Sequence, residues 1–130
     1  MGDDYEVAAG AGTLRETAPG AVTFSHRWTD EGVTVTAAFT GAHLLHLAVA
    51  GCVLNDVYRE AAVLGIRLDG VRVTATGGFD SDAWTSTGIA YAVRVDPPGA
   101  DVEALLARVD AVAEIPRVVR AGARVERWDP

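Results

Sequence analysis

The chain has 130 residues, a formal net charge of -7 and 49% hydrophobic residues, which describes a single domain over 1–130 with one apolar core. That acidity argues against nucleic acid or an anionic membrane as a partner, because both reward clustered positive charge. All 11 basic residues are Arg, so lysine Schiff-base chemistry is excluded and cationic work falls to planar, permanently charged guanidinium groups.

In chain order, the acidic start Met1 to Glu6 lacks the basic and apolar regions of a secretory signal, and Glu6 breaks the myristoylation pattern. A cytoplasmic location is the expectation. Val22, Phe24, His26 and Trp28 alternate with polar residues, as do Val33, Val35 and Ala37, predicting two half-buried strands joined through Thr29 to Gly32. A long helix is predicted from about Leu44 to Leu64, with Thr40 as N-cap candidate and Gly65 as its stop. Its apolar run is broken by Asn55, Asp56, Arg59 and Glu60, well short of the ~20 residues of a membrane span, so it reads as a buried central helix.

Further on, Val71 to Ala75 and Ile89 to Val95 alternate as strands with one buried face. Gly77, Gly78 and Asp80 to Asp82 predict a polar connection between them that carries Trp84. A helix near Asp101 presents Val102, Leu105, Leu106, Val109 and Val112 at helical spacing. Pro116 fits the first position of a short helix ending at Gly122, and Arg124 to Trp128 reads as a last strand. Strands and helices in this order make an α+β pattern.

Cys52 is the only cysteine and lies within the longest apolar run. It has no intramolecular partner for a disulfide, so any redox role must draw on an external thiol. The side chain reads either as a nucleophile or as a small inert core residue. Reactivity needs a thiolate, and the position is too deep in its helix to benefit from that helix's N-terminal dipole. Asp56, one turn on, would repel a thiolate unless Arg59 neutralised it.

The chain resembles the OsmC/Ohr family, the osmotically inducible and organic-hydroperoxide-resistance proteins. The residues that carry the resemblance are Ala50-Gly51-Cys52, Gly65 to Val73, and Ala113-Glu114-Ile115-Pro116-Arg117-Val118-Val119. The resemblance implies an intertwined homodimer with antiparallel sheets around long central helices and with active sites at the subunit interface. It also implies a peroxidatic role for Cys52, with Arg27 stabilising its thiolate. Two further family residues are replaced: Ala42 stands where a Glu holds that Arg, and Ile115 where a second cysteine resolves the sulfenic acid. The two-cysteine cycle of the family is therefore closed to this chain.

Two readings of function follow. In the first, Cys52 with Arg27 reduces an organic hydroperoxide and is recycled by an external thiol reductant. In the second, the scaffold is repurposed, and an interface pocket binds or transforms a small apolar molecule without peroxide chemistry. His43, His46, Asp56 and Trp84 are the candidate substrate-binding residues. His43 and His46 have the spacing of half a metal site but lack a recognisable third ligand, and Asp80 with Asp82 lacks the later Glu of a calcium loop. Neither reading calls for a metal or another cofactor. A Ser-His-Asp hydrolase is excluded because no Gly-x-Ser-x-Gly elbow is present.

Overall fold

The computed structural model describes residues 5–129. Its elements are β1 (Val7–Gly12), β2 (Val22–Phe24), β3 (Val33–Thr36), α1 (Gly41–Leu64), β4 (Gly70–Phe79), β5 (Ser86–Asp96), α2 (Ala100–Val112) and α3 (Glu114–Ala121). The strands form one antiparallel sheet in the order β2-β3-β1-β4-β5. The helices lie against it, with α1 touching β1, β4 and β5 and with α2 and α3 packed against α1. The predicted α+β class holds. Among the described residues no helix is long and apolar enough to cross a membrane.

The ends of α1 follow from its sequence. The Thr40 hydroxyl accepts from the His43 N–H at 3.1 Å, satisfying one of the amides that a helix start leaves free. At the other end Gly65 takes the left-handed conformation at φ 70°, and Ile66 N–H closes on the Ala61 carbonyl at 2.8 Å. In between, Ala50, Val53, Leu54, Val57 and Ala61 are fully buried against Val7, Ala9, Ala11, Val71, Val73 and Ala75 of the sheet. Leu105 and Val109 close the core from α2. Each buried Val or Leu is worth about 1.5–3 kcal/mol of burial free energy, so these positions fix which face of α1 meets the sheet.

Four expectations are corrected. The predicted strand through Trp28 ends at Phe24, after which His26 and Trp28 turn partly inward. Gly77 and Gly78 belong to β4, and the connection is a tight turn whose Asp80 carboxylate accepts from the Asp82 N–H at 2.8 Å. Gly77 is needed there, because a Cβ would stand 2.3 Å from the Gly88 carbonyl oxygen and 2.5 Å from the His46 ring. Arg124 to Trp128 forms no strand, and Val125 and Trp128 are 91% and 80% exposed. Finally, the central strand of the sheet is β1, a segment of Val, Ala and Gly that had no predicted element. Short side chains suit it because α1 crosses its face closely, while Gly12 at φ 62° leaves no room for a Cβ, which would lie 2.1 Å from the Asp69 carbonyl oxygen.

Replacing Thr40 with Ala removes the cap and is expected to destabilise the fold by about 1 kcal/mol. The change should appear as a lower urea midpoint at unchanged slope. An unchanged midpoint would mean that the cap contributes nothing to stability.

Candidate functional site

Cys52, Asp56 and Arg59 recur at helical spacing on the face of α1 that looks toward α3. The Cys52 thiol points at the Asp56 Oδ2 with 3.8 Å between sulfur and oxygen. The Arg59 guanidinium stands 3.2 Å from the same Oδ2, 3.1 Å from Glu60 and 3.2 Å from Glu114 at the start of α3. Arg108 of α2 bonds the other oxygen of Glu60. One guanidinium thus ties three carboxylates, two of them on buried residues, since Asp56 is 1% and Glu60 7% exposed. From α3, Glu114 brings a carboxylate oxygen within 4.8 Å of the sulfur, and the amides of Ile115 and Glu114 favour its anionic form.

These groups set the protonation of the site. Burial pushes the Cys52 thiol up, the Ile115 amide draws it back, and the Asp56 carboxylate raises it further. Asp56 is itself raised, first by burial and again by Glu114, against the opposing pull of Arg59. Glu60 is lowered, chiefly by its hydrogen bond from Arg108. At neutral pH the sulfur is therefore a thiol, with its hydrogen directed at Asp56 Oδ2. Cys52, Asp56 and Glu114 also offer ligand-type atoms within 4.8 Å of one another. The spacing is that of a metal-ligand set, and in this arrangement the counter-charge on both carboxylates comes from Arg59.

The six candidate residues fall in four places. Cys52 and Asp56 are together. His43 and His46 form a second group with Tyr5 and Phe79: His43 meets Tyr5 edge-on at 5.1 Å, and His46 lies 6.0 Å from Tyr5 and 6.2 Å from Phe79. His46 is completely buried, and its Nδ1–H donates to the Ala42 carbonyl at 2.6 Å, while Nε2 has no partner among the described residues. Arg27 is exposed, with its guanidinium 5.5 Å from the centre of the Trp28 ring, and it is not among the groups acting on Cys52 within one chain. Trp84 projects from the β4-β5 turn, 75% exposed.

Two features lay outside the sequence reading. The contribution of Glu114 was hidden because it is 62 positions from Cys52; the Asp56-Arg59 spacing signalled part of the cluster, and the family resemblance had already set Ile115 at the place of a second cysteine that meets Cys52. On the β2-β3 side of α1 there is also a cavity of about 250 Å³, lined by Phe24, His26, Val33, Leu47, Leu54 and Asn55 among others. His26 there is held through Nδ1 by Thr29 at 2.8 Å, and burial lowers its pKa. Asn55 favours its charged form but does not complete a well-formed hydrogen bond to the buried Nε2.

A single antiparallel sheet backed by a long helix, with the lone thiol where that helix meets a short third one, defines an α+β domain with a candidate thiol centre. The family model for OsmC-like protein matches residues 30–127, and the chain belongs to that family. No curated protein and no solved structure matches it. Cys52, Asp56, Arg59, Glu114 and Ile115 lie inside the matched segment, whereas Arg27 precedes it.

Two measurements test this geometry. Iodoacetamide alkylation of Cys52 should have a pH midpoint above the ~8.5 of a free thiol, because burial and Asp56 disfavour the anion. A midpoint below that value would require a cation on the sulfur. Ile115→Cys should form a disulfide with Cys52 under mild oxidation, seen as a 2 Da loss (~2 Da, one hydrogen lost from each thiol) by mass spectrometry. Persistence of two free thiols would separate α3 from Cys52.

Proposed function

We propose that this OsmC-like protein reduces organic hydroperoxides with Cys52 as the nucleophile and an external low-molecular-weight thiol or dithiol as reductant. The sulfur attacks the distal peroxide oxygen, so that an S–O bond forms as the O–O bond breaks and the alcohol departs. A first external thiol then condenses with the sulfenic acid, releasing water, and a second displaces Cys52 as thiol. With no other cysteine in the chain, both reducing equivalents come from outside, and a reducing, cytoplasmic setting supplies them.

The observation that carries the reading is the half-buried Cys52 whose thiol addresses Asp56, itself paired with Arg59, where its helix neighbours Ala50 and Val53 are wholly buried. An inert core cysteine needs no such acceptor. In the homodimer that the family resemblance implies, Arg27 serves as a further cation reaching Cys52 from the second subunit. The apolar side chains Val22, Phe24, Phe39 and Val63, each more than half exposed in one chain, support such an association.

A second reading is favoured by the cavity on the β2-β3 side, whose lining is mostly apolar. In that reading the scaffold binds a small apolar molecule without peroxide chemistry, with His26 and Asn55 as polar groups of the lining, while the expected His43, His46, Asp56 and Trp84 stand outside that lining. Purified protein should consume cumene hydroperoxide in the presence of a dithiol, and Cys52→Ser should abolish the turnover. Equal consumption by the Ser variant would end the first reading.

A further inference from the structure

We propose that Asp56 is the proton acceptor for Cys52, and that Arg59, anchored by Glu114, is the positioning residue that aims the Asp56 carboxylate at the thiol. This inference rests on the hydroperoxide reading above. It begins with the shared oxygen: the thiol and the guanidinium both address Asp56 Oδ2, at 3.8 Å and 3.2 Å. Asp56 is 1% exposed, its thiol and guanidinium partners are Cys52 and Arg59, and Asn55 and Glu114 also act on it. The charged groups that face the pair are Arg59 and Glu60 of α1, Glu114 of α3 and, through Glu60, Arg108 of α2.

The resting state is thus a thiol paired with a carboxylate, and that pair can react without first paying for a free thiolate. As the sulfur attacks the distal peroxide oxygen, the S–H proton passes to Asp56 Oδ2. The O–O bond breaks, the sulfur is oxidised to sulfenic acid, and the peroxide is reduced by two electrons. The departing alkoxide takes the proton back from Asp56 and leaves as the alcohol, so the carboxylate is restored. Arg59 stays fixed throughout, held at its far end by Glu114 and at Nε by Glu60. Its charge favours the ionised form of Asp56 against the opposing effect of burial.

A proton acceptor and a mere electrostatic neighbour predict opposite signatures for Asp56→Asn. Removing the carboxylate removes a negative charge beside the sulfur, so the iodoacetamide midpoint should move to lower pH in either case. Single-turnover reduction of cumene hydroperoxide should nonetheless slow by about a hundredfold or more if Asp56 takes the proton. The same or a faster rate, as the larger thiolate fraction alone would produce, overturns the inference and leaves the hydroperoxide reading standing. Absence of peroxide reduction by wild-type protein whose Cys52 still alkylates overturns both.

Should the Asn variant fail to fold, the wild type decides alone. Its peroxide rate should stay level at pH values where alkylation has already collapsed, falling only as Asp56 protonates. Superimposable pH profiles for the two reactions would mean that free thiolate does the chemistry, and the inference falls.

Discussion

The arrangement of the helices depends on the guanidinium of Arg59. Asp56 and Glu60 lie on the inner side of α1, where an unpaired carboxylate would be costly to bury. Arg59 answers both and extends to Glu114, while Arg108 completes Glu60 from α2. The bonds therefore join α1 to each of the other helices. Arg59 keeps about a third of its side chain in solvent, so its separate ion pairs are screened, and what they supply is chiefly orientation. That orientation determines where the first turn of α3 stands, and with it which backbone amides act on Cys52.

A conflict of charges follows. The thiol faces two carboxylates that share one cation, and burial works in the same direction as the carboxylates. Against these stand the amides at the start of α3, a short helix whose dipole is correspondingly modest. The outcome is a thiol beside an Asp56 whose ionisation burial opposes and Arg59 favours. In a thiolate-based site a cation acts on sulfur directly; here the nearest guanidinium acts on the acceptor of the sulfur's proton. The difference comes from a single turn of helix, which places an Asp between Cys52 and Arg59.

Legibility in the sequence followed the range of the interactions. The caps Thr40 and Gly65 act within a turn of α1, and both were readable, as were α2 and the alternating stretches of β4 and β5. β1 was not, because it is central, is paired on both edges and is built of Ala and Gly to admit α1, so it shows neither alternation nor strand propensity. The reverse error occurred at Val125 to Trp128, where alternation is present but the segment has no neighbour to pair with among the described residues. Within the site, Asp56 and Arg59 were visible from their spacing on one helix. Glu114 comes within 4.8 Å of the Cys52 sulfur through the packing of α3, a contact that no local pattern encodes. The OsmC-like match covers both α1 and α3 but starts after Arg27.

The two faces of α1 divide what the domain can do. Leu47, Gly51, Leu54 and Asn55 line the cavity on the β2-β3 side, whereas Cys52, Asp56 and Arg59 look toward α3. Adjacent positions on a helix are about 100° apart, so Gly51 and Cys52 serve different sides although they are neighbours in sequence. A molecule held in the cavity meets apolar side chains and the His26 ring, while one that reaches the sulfur meets carboxylates and a guanidinium. Changes on one side need not disturb the other, because the fully buried Ala50, Val53 and Val57 hold α1 in place between them. Chemistry at the thiol and binding in the cavity therefore draw on different residues of one helix.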